Sequence, residues 1–182
     1  MLAGVSKILR FAALCVLSVC IEAQAAPTGE YEVKAAFIHN IAKFVEWPAA
    51  ATGAGKLRLC ILGDDPFGGN INVLRGKQIG RLVWEVTRIN AFADMKSCQV
   101  LFISASGHDG IGQIRKHING SAVLTVGDTR GYAEQGVMVN FYLEENKVRF
   151  EINRAAAARA GFRIDSKLLR LGRIVSEQGG GK

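Results

Sequence analysis

Residues 100–126 read VLFISASGHDGIGQIRKHINGSAVLTV, and this stretch decides the fold class. Its first four residues are apolar and are closed by Ser104-Ala105-Ser106-Gly107. A helix is predicted over 109–118, because Ile111, Ile114 and Ile118 follow the three-and-four spacing that gathers side chains on one face. Asn119-Gly120 stops it, and 122–126 is a second short apolar run. A strand, a crossing helix and a second strand in so little chain place the two strands side by side and parallel. Strands that are apolar throughout belong in a sheet covered on both faces.

The pattern extends in both directions. Residues 57–62, LRLCIL, end on Gly63-Asp64-Asp65 and read as another buried strand. Asp65 can cap a helix over 67–74 that Pro66 begins, although Gly68 and Gly69 weaken it. Residues 82–89 alternate as a strand with one mixed face. Downstream, 137–143 and 148–152 flank Glu144-Glu145-Asn146-Lys147 and should form an antiparallel hairpin at the sheet's edge. Asn153 caps a helix over 154–160 that Gly161 stops, and a last helix over 166–175 turns Leu168, Leu171 and Val175 inward.

Upstream lies the longest helical pattern, residues 31–48, YEVKAAFIHNIAKFVEWP. Val33, Phe37, Ile41 and Phe44 share a face that must be buried, and Pro48 forces Trp47 out of helical geometry, so the helix ends near Glu46. Together these elements predict an α/β fold: a three-layer sandwich with a mostly parallel sheet, Rossmann-like, ending in an antiparallel edge hairpin and C-terminal helices.

The first residues have a separate job. Lys7 and Arg10 precede an apolar run at 11–21, and Ala23-Gln24-Ala25 is a small-x-small cleavage pattern, so residues 1–25 read as an export signal cut near Ala25. The run is short of the roughly 20 residues a spanning helix needs. Bulky Val19 argues against lipidation at Cys20. Residues 26–182 then form one domain located in the periplasm. The formal net charge of +7 falls by one when Lys7, Arg10 and Glu22 leave with the signal. An exported chain rarely meets nucleic acid, so the excess reads as a solvated basic face or as a dock for an acidic partner or anionic headgroups. Of the four cysteines, Cys60 and Cys98 remain after cleavage. An isolated pair in an oxidising compartment reads as one disulfide, stabilising by roughly 4 kcal/mol in the loop-entropy model.

Catalytic patterns are missing. Ser104, Ser106, His108 and Asp109 lie close along the chain, but no nucleophile-elbow motif surrounds either serine, and sequence neighbours seldom form a triad in space. His39 and His117 fall at the borders of helix faces. Residues 63–69, GDDPFGG, have neither the lysine-hydroxyl ending of a phosphate loop nor dinucleotide-binding glycine spacing. Two cysteines and three histidines give no zinc spacing. No catalytic residue, metal or cofactor is therefore predicted.

Two candidate sites stand beside plainer readings. Asp64, Asp65, Ser104, Ser106, Asp128 and Thr129 follow the carboxyl ends of predicted parallel strands, where open α/β sheets bind small ligands. The same residue types are also ordinary turn formers and caps. Arg154, Arg159, Arg163, Lys167, Arg170 and Arg173 are either a wet helix face or an electropositive dock for an acidic periplasmic domain.

Two blocks carry a resemblance. KAAFIHNIAKFVEWP at 34–48 and VRFEINRAAAARAGFRIDSKLLRLGRIV at 148–175 resemble the opening and closing signatures of the YfiR family, small exported proteins that regulate signalling enzymes of the inner membrane. The resemblance implies a periplasmic non-enzyme. It would bind the periplasmic part of an inner-membrane diguanylate cyclase, or of a related sensor protein, and repress its output. Cys60 and Cys98 match a family cysteine pair. A second pair that some relatives carry near the hairpin is absent from 133–142. A homodimer and a solute-binding or sensing module for a small polar ligand stay open beside this reading.

Overall fold

The computed structural model describes residues 29–52 and 55–177; the expected export signal, its cleavage point and the glycine tail lie outside them. Gly29, at φ +103°, leads into helix α1, Glu30–Lys43, with Glu30 and Glu32 in its first turn where the amide dipoles favour negative charge. α1 stops before Glu46. Phe44 N bonds back to Ile41 O, the Trp47 indole donates to the Ala42 carbonyl at 3.0 Å, and the chain leaves as strand β1, Val45–Glu46. The indole thus satisfies a carbonyl that the helix end would otherwise leave open.

The buried face of α1 also differs from the expected one. Ala35, Ile38, Ile41 and Ala42 are buried, whereas Val33 is 43% exposed and Phe44 36%. Alanines at 35 and 42 let the helix backbone lie close on the sheet. A face chosen by side-chain bulk points partly away from that contact. Phe37 is half-buried and packs on Phe141 and Phe150, with ring centroids 6.2 and 5.7 Å away.

After a short α2, Ala49–Thr52, come β2, Lys56–Leu62, a 3₁₀ turn at Gly68–Leu74, β3, Gln78–Ile79, and β4, Leu82–Ile89. A second 3₁₀ turn at Phe92–Ser97 leads to β5, Val100–Ile103. A third at Ala105–Gly110 precedes α3, Ile111–Ile118, and β6, Leu124–Gly127. The remainder is β7, Val139–Glu144; β8, Lys147–Ile152; α4, Arg154–Arg159; β9, Arg163–Ile164; α5, Ser166–Leu169; and β10, Arg173–Ile174. Eight strands form one sheet in the order β10-β8-β7-β6-β5-β2-β4-β3, and β1 pairs with β9 apart from it. The strands from β4 to β7 are parallel neighbours, while β3 runs against β4 and β8 against β7. The order reverses at β2: the chain passes from β2 to β4 on one side and then to β5 on the other.

Three local expectations give way. Gly68 and Gly69 permit only a 3₁₀ turn where a helix was predicted over 67–74. The predicted closing helix is cut to α5, since Leu171 is 72% exposed and Gly172 lies against Phe150 and Ile152, where no further helical turn fits. Residues Arg173–Ile174 instead pair in parallel with β8, so the hairpin is one strand in from the edge. Its turn residues Glu145 and Asn146 both take positive φ, as a two-residue hairpin loop requires.

Hydrophobic clusters cover both faces of the sheet. On one, α1, the turn at Gly68–Leu74 and α4 bury Leu57, Leu59, Ile61, Trp84, Phe102 and Phe141. On the other, Ile111, Ile114 and Ile118 of α3 cover Leu62, Leu101 and Ile103. Cys60 and Cys98 form a disulfide on this second face, their Cα atoms 5.9 Å apart, which ties the turn at Phe92–Ser97 to the central strand.

Candidate functional site

Three groups of polar residues could carry function. The first follows the carboxyl ends of β2 and β5, at the point where strand order reverses. Here Ser104 Oγ and Ser106 Oγ are 2.9 Å apart, and Asp64 N donates to Ser106 Oγ at 2.8 Å. Both hydroxyls crowd Gly63: a Cβ built there would come within 2.5 Å of each. Ser104 is buried, and Tyr132 donates its hydroxyl to the Ser104 carbonyl at 2.9 Å. The structure thus brings Asp64, Ser104 and Ser106 together, with the serine hydroxyls closing the β2–β5 junction. Asp65 does two other jobs, accepting from Phe67 N at 2.9 Å and pairing with Arg88.

The second group is an ion cluster beyond β6. Asp128 accepts from Tyr31 Oη at 3.0 Å and from Lys34 Nζ at 2.8 Å, and Lys34 also meets Glu30 at 2.5 Å. The side chains of Lys34, Asp128 and Glu30 are 4%, 6% and 8% exposed. Burial, reinforced by the Asp128 carboxylate, pushes the Tyr31 phenol well above its ordinary value, so it remains a neutral donor. This cluster fastens the start of α1 to the sheet. Thr129 lies beside it, and its carbonyl accepts from Tyr132 N. Lys34 escaped the sequence reading, although the Glu30 and Lys34 spacing of four is the signature of a helical ion pair.

The third group is the basic closing block. Arg163 is well exposed and reaches Glu46 at 3.2 Å; Arg170 reaches Ser166 Oγ at 3.5 Å. Arg173 pairs with buried Glu151 and lies 4.6 Å over the Tyr142 ring, and the bond to Glu151 holds its guanidinium charge more firmly than usual. Arg154 is exposed at the start of α4, which Asn153 caps as expected by accepting from Ala156 N at 2.8 Å. Arg159 belongs elsewhere: it pairs with Glu177, as does Arg115 of α3 at 3.5 Å.

Beside that ion pair is a cavity of about 520 Å³ between α3 and α4, opening where the chain enters β6. It lies by the amino end of that strand, whereas Asp128 follows its carboxyl end. Nothing local in the sequence announces it, because its walls come from segments far apart in the chain.

His39 is a further polar anchor. Its Nδ1 accepts from the buried Trp84 indole at 2.9 Å, and burial followed by the charges of Lys43 and Lys77 lowers its pKa below the ordinary 6.5. Among the described residues no group of His, Cys, Asp and Glu could hold a metal ion, and no helix is long and apolar enough to cross a membrane.

Comparison with known proteins gives one family and a fold. A family model described as YfiR/HmsC-like matches residues 31–173. None of the curated proteins compared matches the chain. Among solved structures, the chain resembles the ABC domain in complex with L-Trp from Streptococcus pneumonia, with TM-score 0.54 and 9% identity, covering 80% of this chain and 60% of that one. It also resembles a conserved domain protein from Vibrio cholerae O1 biovar El Tor, with TM-score 0.54, 13% identity, and 82% and 60% coverage. The chain spans about 60% of the length of each of these structures, and at such identity the likeness is one of fold alone.

Proposed function

The chain belongs to the YfiR/HmsC-like family, and from that premise we propose that it is a periplasmic regulator, not an enzyme. It binds the periplasmic part of an inner-membrane signalling protein, a diguanylate cyclase in the first instance, and represses its output. The observation that carries this reading is the extent of the family match, from the start of α1 to the first residue of β10.

The surface of the closing block supports it. Leu171 and Ile174 are 72% and 51% exposed, and the exposed Arg154, Arg163 and Arg170 belong to the same block. Phe44 is held to it by the bond from Asp165 N to the Phe44 carbonyl at 2.9 Å. Exposed apolar side chains among arginines suit an acidic partner with an apolar centre, since arginine is enriched at interface cores and charge complementarity steers encounter.

A soluble protein controls a membrane enzyme only by binding one of its conformations better than the other. Moving a two-state partner from almost fully active to almost fully inactive requires a preference of about 10⁴-fold. The test is cyclase output in vesicles, with the processed chain added on the periplasmic face. Output should fall and saturate with added chain, and Arg163→Glu combined with Arg170→Glu should weaken the effect and flatten its salt dependence. Unchanged output at saturating chain, with no membrane protein retained on the immobilised chain, overturns the reading.

A further inference from the structure

The cavity between α3 and α4 has a chemistry that repression alone does not require. We propose that it is a binding site for a small organic carboxylate with a short apolar body, and that Glu177 occupies its anion position in the free chain. Arg115, Lys116 and Arg159 place three cations around one opening, while Val123, Met138 and Ala156 line it with apolar surface. At about 520 Å³ the space suits a compact organic acid.

An anion is already held there. Glu177 Oε1 bridges the guanidinium groups of Arg115 and Arg159. Gly136 lines the same cavity at φ +97°, and a Cβ built on it would lie 2.8 Å from Glu177 Oε1 and from the Arg115 guanidinium carbon. The missing side chain is therefore what leaves room for a carboxylate between the two arginines. Arg115 is further fixed by donating to the Gln135 carbonyl at 2.9 Å, so one side of the anion position is preset. With one carboxylate facing three cations, the opening keeps an unbalanced positive charge.

Competition then governs affinity. If Glu177 fills the position about nine-tenths of the time, an entering carboxylate binds about tenfold more weakly than it would to an open site. The processed chain is titrated with hexanoate by calorimetry at low salt, with hexanol and hexylammonium as controls. Hexanoate should bind, and both controls should bind at least about tenfold more weakly, since the charge-assisted contacts are lost. Glu177→Gln should tighten hexanoate several-fold, and adding Arg159→Gln to that variant should reverse the gain. If the double variant melts early, Lys116→Gln replaces Arg159→Gln. Equal affinity for hexanoate and hexanol, or one affinity across all variants, overturns the proposal. Because the readout needs no membrane protein, it succeeds or fails independently of the repressor reading.

Discussion

Replacing both members of the Cys60–Cys98 bridge by alanine tests what this covalent tie contributes to stability. The bridge closes a loop of 38 residues, for which chain entropy gives about 4 kcal/mol at 25 °C. Little of that should come from lost native contacts. Gln99, next to Cys98, already bonds β2 twice: its N donates to the Arg58 carbonyl at 3.0 Å, and its side-chain oxygen accepts from Arg58 N at 2.9 Å. The cost therefore falls on the unfolded chain, which becomes free to expand. For a domain of this size each kcal/mol moves the melting temperature by about 2–4 °C, so the loss should be about 8–16 °C. Urea unfolding is the assay, and the slope of stability against urea should rise as well, because the uncrosslinked chain exposes more surface. Either single substitution already opens the loop, so Cys60→Ala alone should show nearly the whole effect and the second should add little. A loss under about 1 kcal/mol would refute the reasoning, being far below the loop term. So would two free thiols in the oxidised parent chain after denaturation.

Three other outcomes follow from the packing. Lys34→Met strands Asp128 and Glu30 without their cation and should cost about 3–5 kcal/mol by chemical denaturation; adding Asp128→Asn should recover part of it, and simple additivity would show the cluster is not coupled. Gly172→Ala puts a Cβ 2.6 Å from the Phe150 ring and 2.9 Å from Ile152 Cδ1, and should cost about 1–3 kcal/mol; an unchanged melting curve would contradict that contact. His39 is held below its ordinary 6.5 and must stay neutral to accept from Trp84, so the unfolded chain takes up its proton first. Its contribution is complete above that value and declines as pH falls through it; His39→Asn, which keeps an acceptor without a titrating ring, should flatten this part of the melting profile between about pH 7 and 5.

Strands β2, β5 and β6 were legible as short apolar runs bounded by glycine or a capping residue and β4 by its alternation, and the bridge because Cys60 and Cys98 are the two cysteines beyond the expected export signal. Asn153 was legible as a cap for the same local reason, whereas Asp65, expected to cap a helix over 67–74, accepts from Phe67 N ahead of a 3₁₀ turn that has no side-chain cap. What escaped depends on partners distant in the chain. The face of α1 is set by the alanines that meet the sheet and by Asp128, which lies 94 residues from Lys34. A continuous helix over 166–175 would turn Leu171 inward; Gly172 against Phe150 instead redirects the chain into β10. The cavity depends on Arg115, Arg159 and Glu177 converging from three segments, and no spacing rule relates them.

Both lateral strands of the main sheet, β3 and β10, are only two residues long. Each covers only two residues of a longer neighbour, Leu82–Val83 of β4 and Glu151–Ile152 of β8, so neither edge offers a long unbroken flat row. The uncovered parts carry exposed charges such as Arg88 and Arg149 that discourage fibrous self-propagation. The same brevity limits any true partner: backbone pairing at β10 can supply a few hydrogen bonds at most, so discrimination between targets has to be written in the side chains around it.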